Sequence, residues 1–343
     1  MPSLPPARTP FPVRDSYTIR PDMVPLNRDP YGETHHQHFV FDARYPEYLE
    51  AKLDLLERHP DSCRCLAPQD DNDHATLQDA LWRTFELLAG EHPALIRSTP
   101  TGIRLELLGL ELDRPDARAR HLPGAPLTQL GARAVAHLAA TRPAPARLAD
   151  ALALAVQEDL VLMQGNPTPG DALDDRAELL HVCFPTHWNP RTRAGQSFAA
   201  IHQPVAHADV LQRAAPNLMR ALLTKGPFVR FVWSLGMDGS LNLNPDLPIR
   251  PAAPPPPEDP TALAQQLHFR VERQTSRALP GLHRALFTIR VYSAPLPEVL
   301  DSPARRQLLA QALRSMDETI LRYKNLTDLR EPLLAWLDPA PAP

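Results

Sequence analysis

Two segments late in the chain, 267–275 and 285–293, alternate apolar and polar residues at every second position. A period of two is typical of β-strands, because successive side chains of a strand point to opposite faces. The connector between the two segments is short and contains Pro280-Gly281. We therefore predict an antiparallel hairpin.

One face of this hairpin is predicted to be strongly polar. If the face is solvated, it is an ordinary ladder of exposed charges that contributes little to stability. If another element covers it, it must form a polar, anion-binding pocket, because buried charges need partners. The residues predicted on this face are His268, Arg270, Glu272, Gln274, Arg290 and Tyr292.

Apolar residues at helical spacing occur both before and after the hairpin. Helices are predicted over 44–59, 76–88, 146–164, 210–223 and 305–323. Extended segments are predicted over 101–113, 178–184 and 228–235. Because helices come first and most strands fall after residue 178, the predicted fold class is α+β.

The chain has 343 residues, which is enough for an ample core, and we predict a single domain over 15–335. A flexible, proline-rich segment is expected over 1–14 and a disordered tail over 336–343. The run 245–260 holds eight prolines and lies between predicted strands. We therefore predict that it is a loop within the domain and not a boundary.

Composition narrows the class of protein. The net charge of −4, from 36 basic and 40 acidic residues, predicts no general attraction to nucleic acid or to anionic membranes. The three cysteines, Cys63, Cys65 and Cys183, fit a reducing compartment. The N-terminus has no signal-peptide pattern, and no apolar run approaches the roughly 18 residues needed to span a bilayer. We expect a cytoplasmic protein.

Motifs for several cofactors are missing from the sequence. There is no Gly-x-Gly-x-x-Gly after a strand, no phosphate loop, and no set of four cysteines for an iron–sulfur cluster. We therefore do not expect a nicotinamide, a flavin or an iron–sulfur centre on this polypeptide.

Several short motifs together resemble the haem-dependent oxidative N-demethylase family, and they occur in the family's order between about Tyr17 and Leu329. The hairpin supplies two of them, Arg-Val-Glu-Arg-Gln-Thr at 270–275 and Phe-Thr-Ile-Arg-x-Tyr at 287–292. The others are Phe41-Asp42 with the segment to Leu56, Val156-Gln157-Glu158-Asp159-Leu160, Cys183-Phe184-Pro185 with Trp188, Gly195, Ile201-His202-x-Pro204-Val205 and Arg322-Tyr323-Lys324.

The resemblance implies a PAS-like antiparallel sheet that holds haem b, with N-terminal and C-terminal helices packed around it. It also implies a monooxygenase subunit that uses O2 to convert a small secondary amine to a smaller amine and formaldehyde. Electrons would come from NADPH through a reductase partner with FMN and a 2Fe–2S cluster. A tetrahydrofolate-binding subunit is a further implied partner.

His202 is the predicted axial ligand of the haem iron. The segment Ile201-His202-Gln203-Pro204-Val205 sets the imidazole beside an apolar residue and a rigid X-Pro step, which would fix its orientation. The family uses a histidine as proximal ligand, and His202 is the one within a matching motif. The alternative for His202 is a buried histidine bonded to a backbone carbonyl. Rival ligands are His187, His268 and Cys183, of which Cys183 lies in an apolar run typical of the core.

The haem propionates would bind arginine or tyrosine donors. The candidates are Arg270, Arg273 and Arg290, with Tyr292 as a neutral donor. The resemblance favours a pocket that contains Arg270, Glu272 and Gln274.

Glu272 is the predicted partner of a cationic amine or the group that delivers protons, and Arg270 is predicted to act beside it in catalysis. Glu158 and Asp159 are weaker candidates, because a helical location would allow them to cap or pair locally. Lys324 is one of only three lysines, although a lysine at a helix end also complements the helix dipole.

One position departs from the family pattern. The family often has Arg-x-Asn-Trp where this chain has Arg230-Phe231-Val232-Trp233. The substrate or the distal hydrogen bonding is therefore expected to differ from that of dimethylamine-type enzymes.

Two other functions are consistent with the residues. One is a non-catalytic, PAS-like protein that senses haem or another small ligand. The other is a non-haem metal enzyme that uses His35, His36 and His38, although polar histidines of this kind near a terminus more often bind nothing.

Overall fold

The fold is described by a computed structural model, which covers residues 4–29, 31, 36–68, 71–166, 173–247 and 256–338. A seven-stranded sheet with the strand order β1-β9-β10-β11-β7-β8-β2 forms its centre, and all its neighbouring strands are antiparallel. Its strands in chain order are β1 (Val24–Pro25), β2 (Arg64–Leu66), β7 (Asp159–Gly165), β8 (Asp175–His181), β9 (Phe228–Gly236), β10 (His268–Leu279) and β11 (Arg284–Pro295).

A smaller antiparallel sheet and helices surround the large sheet. The small sheet consists of β3 (Ile96–Ser98), β4 (Gly102–Leu105), β5 (Leu110–Asp113) and β6 (Arg118–His121). The helices are α1 (Tyr45–Arg58), α2 (Pro60–Cys63), α3 (Asp71–Glu91), α4 (Thr128–Ala140), α5 (Ala144–Ala155), α6 (Phe198–Ile201), α7 (Ala208–Thr224), α8 (Pro260–Gln266), α9 (Leu296–Val299), α10 (Pro303–Ser315), α11 (Glu318–Tyr323) and α12 (Arg330–Leu337), with short 3₁₀ turns at Leu26–Arg28 and Pro190–Thr192. The predicted α+β class is confirmed.

The faces of the large sheet are covered by different helices. Tyr48 of α1 packs on one face, where its hydroxyl donates to the carbonyl of Val291 at 2.6 Å. On the other face, Met219 and Leu222 of α7 lie in a buried cluster with Val161 of β7. A separate apolar cluster joins Phe269 of β10 to the C-terminal helices. The sheet is therefore internal.

Most of the elements predicted from apolar spacing are confirmed. The helices expected over 44–59, 76–88 and 210–223 correspond to α1, α3 and α7, and the strands expected over 178–184 and 228–235 correspond to β8 and β9. The hairpin is also confirmed, with a connection of four residues, 280–283.

The helix predicted over 146–164 is wrong in its second half. Helix α5 ends at Ala155, and Leu160 and Leu162 belong to strand β7. Nearly every residue of α5 and β7 is buried. A segment that is apolar on all sides shows no period that separates helix from strand, so the two elements could not be told apart by spacing.

Two other predicted segments are subdivided. The segment 101–113 forms β4 and β5, joined by a turn in which Gly109 adopts a φ of +59°. The helix predicted over 305–323 breaks into α10 and α11 because Asp317 caps the second helix, accepting a hydrogen bond from the Ile320 amide at 2.9 Å. Helix α12 follows.

The predicted division of polar residues in the hairpin is wrong for the second strand. The observed register pairs Arg273 with Arg290 and Glu272 with Val291. Residues paired across neighbouring strands share a face, so Arg290 lies on the face opposite Glu272. Tyr292 pairs with Val271 and lies on the Arg290 side. The alternation within each strand does not specify the register between strands, and a shift by one residue reverses every side chain.

The described part of the N-terminal segment contacts the core. Phe11 packs against Phe269 with ring centroids 5.5 Å apart, and Val13 is buried. Residues 1–3, much of the proline-rich run 245–260 and the end of the expected tail lie outside the described residues. The limits of the domain therefore stay a prediction. Within the described chain, no helix combines the length and the apolar character required to cross a membrane.

Asp150 of α5 links three elements at the edge of the large sheet. Its fully buried carboxylate accepts hydrogen bonds from His137 of α4 at 2.7 Å, from His181 of β8 at 3.0 Å and from Arg64 of β2. Burial alone would raise the pKa of Asp150, but the bonds from His137 and His181 hold it well below its usual range. Burial lowers the pKa of His181, and the bond to Asp150 more than offsets this and raises it to about 9.

Replacing Asp150 should destabilise the fold strongly. Asp150→Ala leaves the charge of Arg64 and the buried His181 without their acceptor, and we expect a loss of about 3–5 kcal/mol in the free energy of unfolding. The control is Asp301→Ala, which removes an exposed partner of Arg305 and should cost less than about 1 kcal/mol. Urea unfolding at pH 7 measures both. Equal, small losses would show that the Asp150 cluster does not hold these elements together.

Candidate functional site

A cavity of about 680 Å³ lies against the face of the large sheet that carries Glu272. This volume is within the range of about 300–1,000 Å³ typical of sites for small molecules and cofactors. Parts of the N-terminal segment 12–24 and of the segment 323–325 also line it. Polar residues of the hairpin and His202 line this same cavity.

The sheet wall of the cavity is polar at one side and apolar at the other. Its polar part comes from β9 and β10, where the register pairs Arg230 with Gln274 and Val232 with Glu272. The apolar part consists of Ile289 and Phe287 of β11, Val161 and Met163 of β7, and Leu180 of β8. A bound molecule with one polar and one apolar part would match this wall.

His202 lies directly after α6, on the cavity lining. The helix is capped by Ser197, which accepts a hydrogen bond from the Ala200 amide at 3.2 Å. The Nδ1 atom of His202 lies 2.8 Å from the carbonyl oxygen of Phe198, and the centres of the two rings are 4.1 Å apart. Because a carbonyl only accepts, Nδ1 carries the proton and donates it. The lone pair is then on Nε2.

The electrostatic environment keeps this imidazole neutral. Burial lowers the pKa of His202 to about 4, and the positive charges of Arg230 and Arg193 add to the effect, although the bond to Phe198 opposes it. A neutral imidazole whose Nδ1 proton is held by a backbone carbonyl is the form in which histidine binds metals. The sequence left open that His202 is only a buried histidine bonded to a backbone carbonyl. That bond is present, from Nδ1 to Phe198, and it leaves Nε2 available. The residues fit a haem with His202 as ligand.

Glu272 extends from β10 into the cavity lining. Its carboxylate accepts hydrogen bonds from the Thr186 hydroxyl and from Nε2 of Gln274, the latter at 2.8 Å. A carboxylate has about four acceptor positions. Glu272 is therefore fixed in direction and can still accept a hydrogen bond from a ligand.

Arg270 supports Glu272 and is not free to bind a ligand. Its guanidinium donates to the carbonyl oxygen of Phe184 at 2.8 Å, to that of Leu241 at 2.9 Å and to the Thr186 hydroxyl at 2.8 Å. The side chain is also buried. Arg270 positions Thr186, which in turn donates to Glu272. The structure thus places His202, Arg270, Glu272 and Gln274 on the lining of one cavity.

The other predicted propionate ligands are not brought to the cavity. Arg290 lies on the opposite face of the sheet, where it donates to Asp42 at 2.7 Å and stacks 4.0 Å above the ring of Tyr48. Tyr292 lies beside it, its ring 4.9 Å from the guanidinium. Arg273 donates on the same face to the carbonyl oxygens of Gln37 and His38 at 2.9 and 3.3 Å. Arg290 and Arg273 thus donate to other parts of the protein, and the ring of Tyr292 packs against the Arg290 guanidinium.

The rival iron ligands differ in their access to the cavity. His187 lines it in a left-handed conformation with a φ of +60°. The His268 ring packs so closely on Gly239 that a methyl group at that glycine would lie 2.4 Å from it. Cys183 is fully buried in the core, and burial raises the pKa of its thiol well above the ordinary value. Of these three, His187 alone lines the cavity.

The weaker carboxylate candidates are structural. Asp159 accepts hydrogen bonds from the amides of Cys183 and Phe184 at 2.8 and 2.9 Å, and Glu158 accepts one from the Val40 amide at 2.8 Å. Both are fully buried away from the cavity. Burial raises the pKa of each carboxyl.

The non-haem alternative finds no support in the described residues. His35 lies outside them. The Nδ1 atom of His38 is 2.6 Å from a carboxylate oxygen of Glu91. Among the side chains that the structure describes, no group of three or more His, Cys, Asp or Glu residues is placed to hold a metal ion.

Lys324 is a cavity residue whose role the sequence left open. Its Nζ donates to the carbonyl oxygen of Trp233 and lies 4.5 Å from the ring centre of Tyr17 and 5.0 Å from that of Trp233. Burial lowers the pKa of Lys324 to about 7, although the charge of Glu272 opposes the shift. The wall near Glu272 can therefore gain or lose a positive charge close to neutral pH.

Sequence reasoning missed Arg230 and Thr186 as site residues. The cavity also has Arg14, Arg20 and Arg193 on segments without strands. Arg230 and Val232 are two positions apart on β9, so the alternation of this strand predicts that they share a face. Thr186 follows Pro185 in a loop, where no periodicity applies.

Lys324 should make stability depend on pH. Between pH 7 and about 10.5 the folded protein binds fewer protons at this residue than the unfolded chain, so stability rises with pH by up to about 1.4 kcal/mol per unit. Lys324→Met should remove this contribution, so that the difference in unfolding free energy between variant and wild type changes between pH 7 and about pH 9.5. Lys225→Met, at an exposed residue, serves as the control. A difference independent of pH would contradict the assignment.

A comparison with protein families identifies the family of this chain. The family model described as haem-dependent oxidative N-demethylase, alpha subunit-like, matches residues 32–334 of the 343. The matched range includes His202, the polar wall of β9 and β10, and Lys324. The resemblance inferred from the motifs is thereby confirmed, and the chain belongs to the haem-dependent oxidative N-demethylase alpha subunit-like family.

Proposed function

We propose that this chain is the haem-binding subunit of a monooxygenase that demethylates a small secondary amine. The observation that carries the proposal is the neutral imidazole of His202, which has its Nδ1 proton held by Phe198 and lines a cavity shared with Glu272. The family's name supports the dependence on haem and the oxidative N-demethylation. We infer that the large antiparallel sheet is the PAS-like support of haem b.

Haem, when bound, activates O2 for insertion into a methyl C–H bond. The overall reaction consumes one N-methylated amine, one O2, two electrons and two protons, and it yields the demethylated amine, formaldehyde and water. Two bonds of the substrate break in turn. A methyl C–H bond is first replaced by C–OH, and the C–N bond of the resulting carbinolamine then breaks.

The residues of this chain have separate parts in that reaction. His202 would hold the iron through Nε2. Glu272 would bind the cationic amine, because its carboxylate keeps acceptor positions open to the cavity. Ile289 and Phe287 would exclude water from the methyl group. Arg270 and Thr186 would keep the Glu272 carboxylate in one orientation.

The electrons are proposed to come from partner subunits. The alpha-subunit-like family implies such partners. We propose a reductase with FMN and a 2Fe–2S cluster that is fed by NADPH, together with a tetrahydrofolate-binding subunit that accepts formaldehyde. The cytoplasm is the proposed location.

Removing the His202 imidazole should abolish the haem signal. We expect His202→Ala to lose the Soret absorption band of purified protein, while the control His207→Ala, at an exposed residue, retains it. His202→Gly should regain the band when free imidazole is added, because the added ring can replace the missing ligand. A wild-type Soret band in His202→Ala would refute His202 as the iron ligand.

Glu272→Gln tests catalysis separately from haem binding. The amide keeps the size of the side chain but removes the charge that would bind an ammonium group. We expect an unchanged Soret band and a loss of about 10²-fold or more in the rate of formaldehyde release. Glu298→Gln, at an exposed residue, should leave the rate unchanged. If wild type binds haem and amines but releases no formaldehyde with a competent reductase, the chain is a sensor.

A further inference from the structure

Arg230 is a cation within the cavity that has no close anionic partner in the described chain. It lines the cavity, and no hydrogen bond or ion pair is found for it among the described residues. Burial lowers its pKa, and the charges of Glu272 and Asp22 oppose this shift. A guanidinium enclosed in this way is stabilised when a bound anion supplies the acceptors.

Arg270 and Lys324, the cations nearest to Glu272 in the same wall, already contact groups of the protein. Arg270 donates to three backbone carbonyls and Thr186. Lys324 donates to the carbonyl of Trp233 and lies over two aromatic rings. Of the two arginines on the β9–β10 wall, Arg230 is therefore the one whose guanidinium can receive an anionic group.

Arg230 and Glu272 share one wall but do not form an ion pair. Glu272 pairs in register with Val232, and Arg230 lies two positions from Val232 along β9. Diagonal neighbours of this kind have Cα atoms about 7–8 Å apart. Gln274 is opposite Arg230 and donates to Glu272. The wall thus presents a cation and an anion side by side, next to the apolar side chain of Val232.

We propose that the substrate of this site carries a carboxylate beside its secondary amine, as in an N-methyl amino acid. Arg230 binds the carboxylate and Glu272 binds the ammonium group. This inference rests on the proposed function. For N-methylglycine, the substrate, one O2, two electrons and two protons are converted to glycine, formaldehyde and water, and the two electrons come from a nicotinamide-linked reductase.

The test compares two amines that differ in the carboxylate. Haem-loaded protein is titrated with N-methylglycine and with dimethylamine by calorimetry. We expect the wild type to bind N-methylglycine at least tenfold more tightly, and Arg230→Gln to remove this preference while the Soret band is kept. Arg230→Lys should restore part of it. Arg213→Gln, on the exposed surface of α7, is the matched control and should leave the preference unchanged.

Three outcomes would overturn the inference. Dimethylamine could bind as tightly as N-methylglycine, Arg230→Gln could weaken both amines equally, or Arg230→Gln could lose haem, which would assign Arg230 to the haem carboxylates. The proposed function is tested apart from this by formaldehyde release. Release from dimethylamine and not from N-methylglycine refutes only the substrate class, whereas no release from either amine with a competent reductase refutes both.

Discussion

The pairing of β10 with β11 is the constraint on which the site depends. It sets Arg273 opposite Arg290 and Glu272 opposite Val291, so the charged residues of the hairpin divide between two faces of one sheet. A shift of one residue between these strands would turn the side chains of the shifted strand to the other face. In the observed register, Arg273 and Arg290 are buried in the fold, whereas Glu272 and Gln274 line the cavity.

The enclosed face joins the segment before α1 to the sheet. Asp42 accepts a hydrogen bond from Arg290 at 2.7 Å and another from the side-chain amide of Gln157 at 3.0 Å. Arg273 donates to the carbonyl oxygens of Gln37 and His38. Removing one partner of a buried ion pair strongly destabilises a protein, because the other charge is left buried without a partner. The arginines on this face thus hold the sheet in place, and the cavity face is left for binding.

On the cavity face, hydrogen bonds to the protein fix the orientation of the functional side chains but do not use all of their hydrogen-bonding positions. His202 uses one ring nitrogen for Phe198 and keeps the other. Glu272 is oriented by Thr186 and Gln274 and keeps acceptor positions. The bonds that fix both groups come from loops and from strands of the same sheet, so the site is already arranged before a ligand binds.

Much of this could be predicted from the sequence, and the failures have physical causes. The alternation in β10 placed Arg270, Glu272 and Gln274 correctly on one face, and the rigid segment around His202 pointed to a histidine that lines the cavity. Arg290 and Tyr292 were assigned to the wrong face because register depends on contacts between strands. Leu160 and Leu162 were assigned to a helix because a segment that is buried on all sides has no distinguishing period. The alternation in β9 predicts which residues share a face with Arg230, but the pairing of β9 with β10 that brings Arg230 beside Glu272 cannot be predicted from it.

The imidazole of His202 and the wall of β9 and β10 are proposed to enclose one haem. A crystal structure of the haem-loaded protein tests this arrangement. We expect iron bound to Nε2 of His202, with Glu272 on the wall that faces the haem. Iron bound to another residue such as His187, or a haem on the Arg290 face of the sheet, would refute this arrangement.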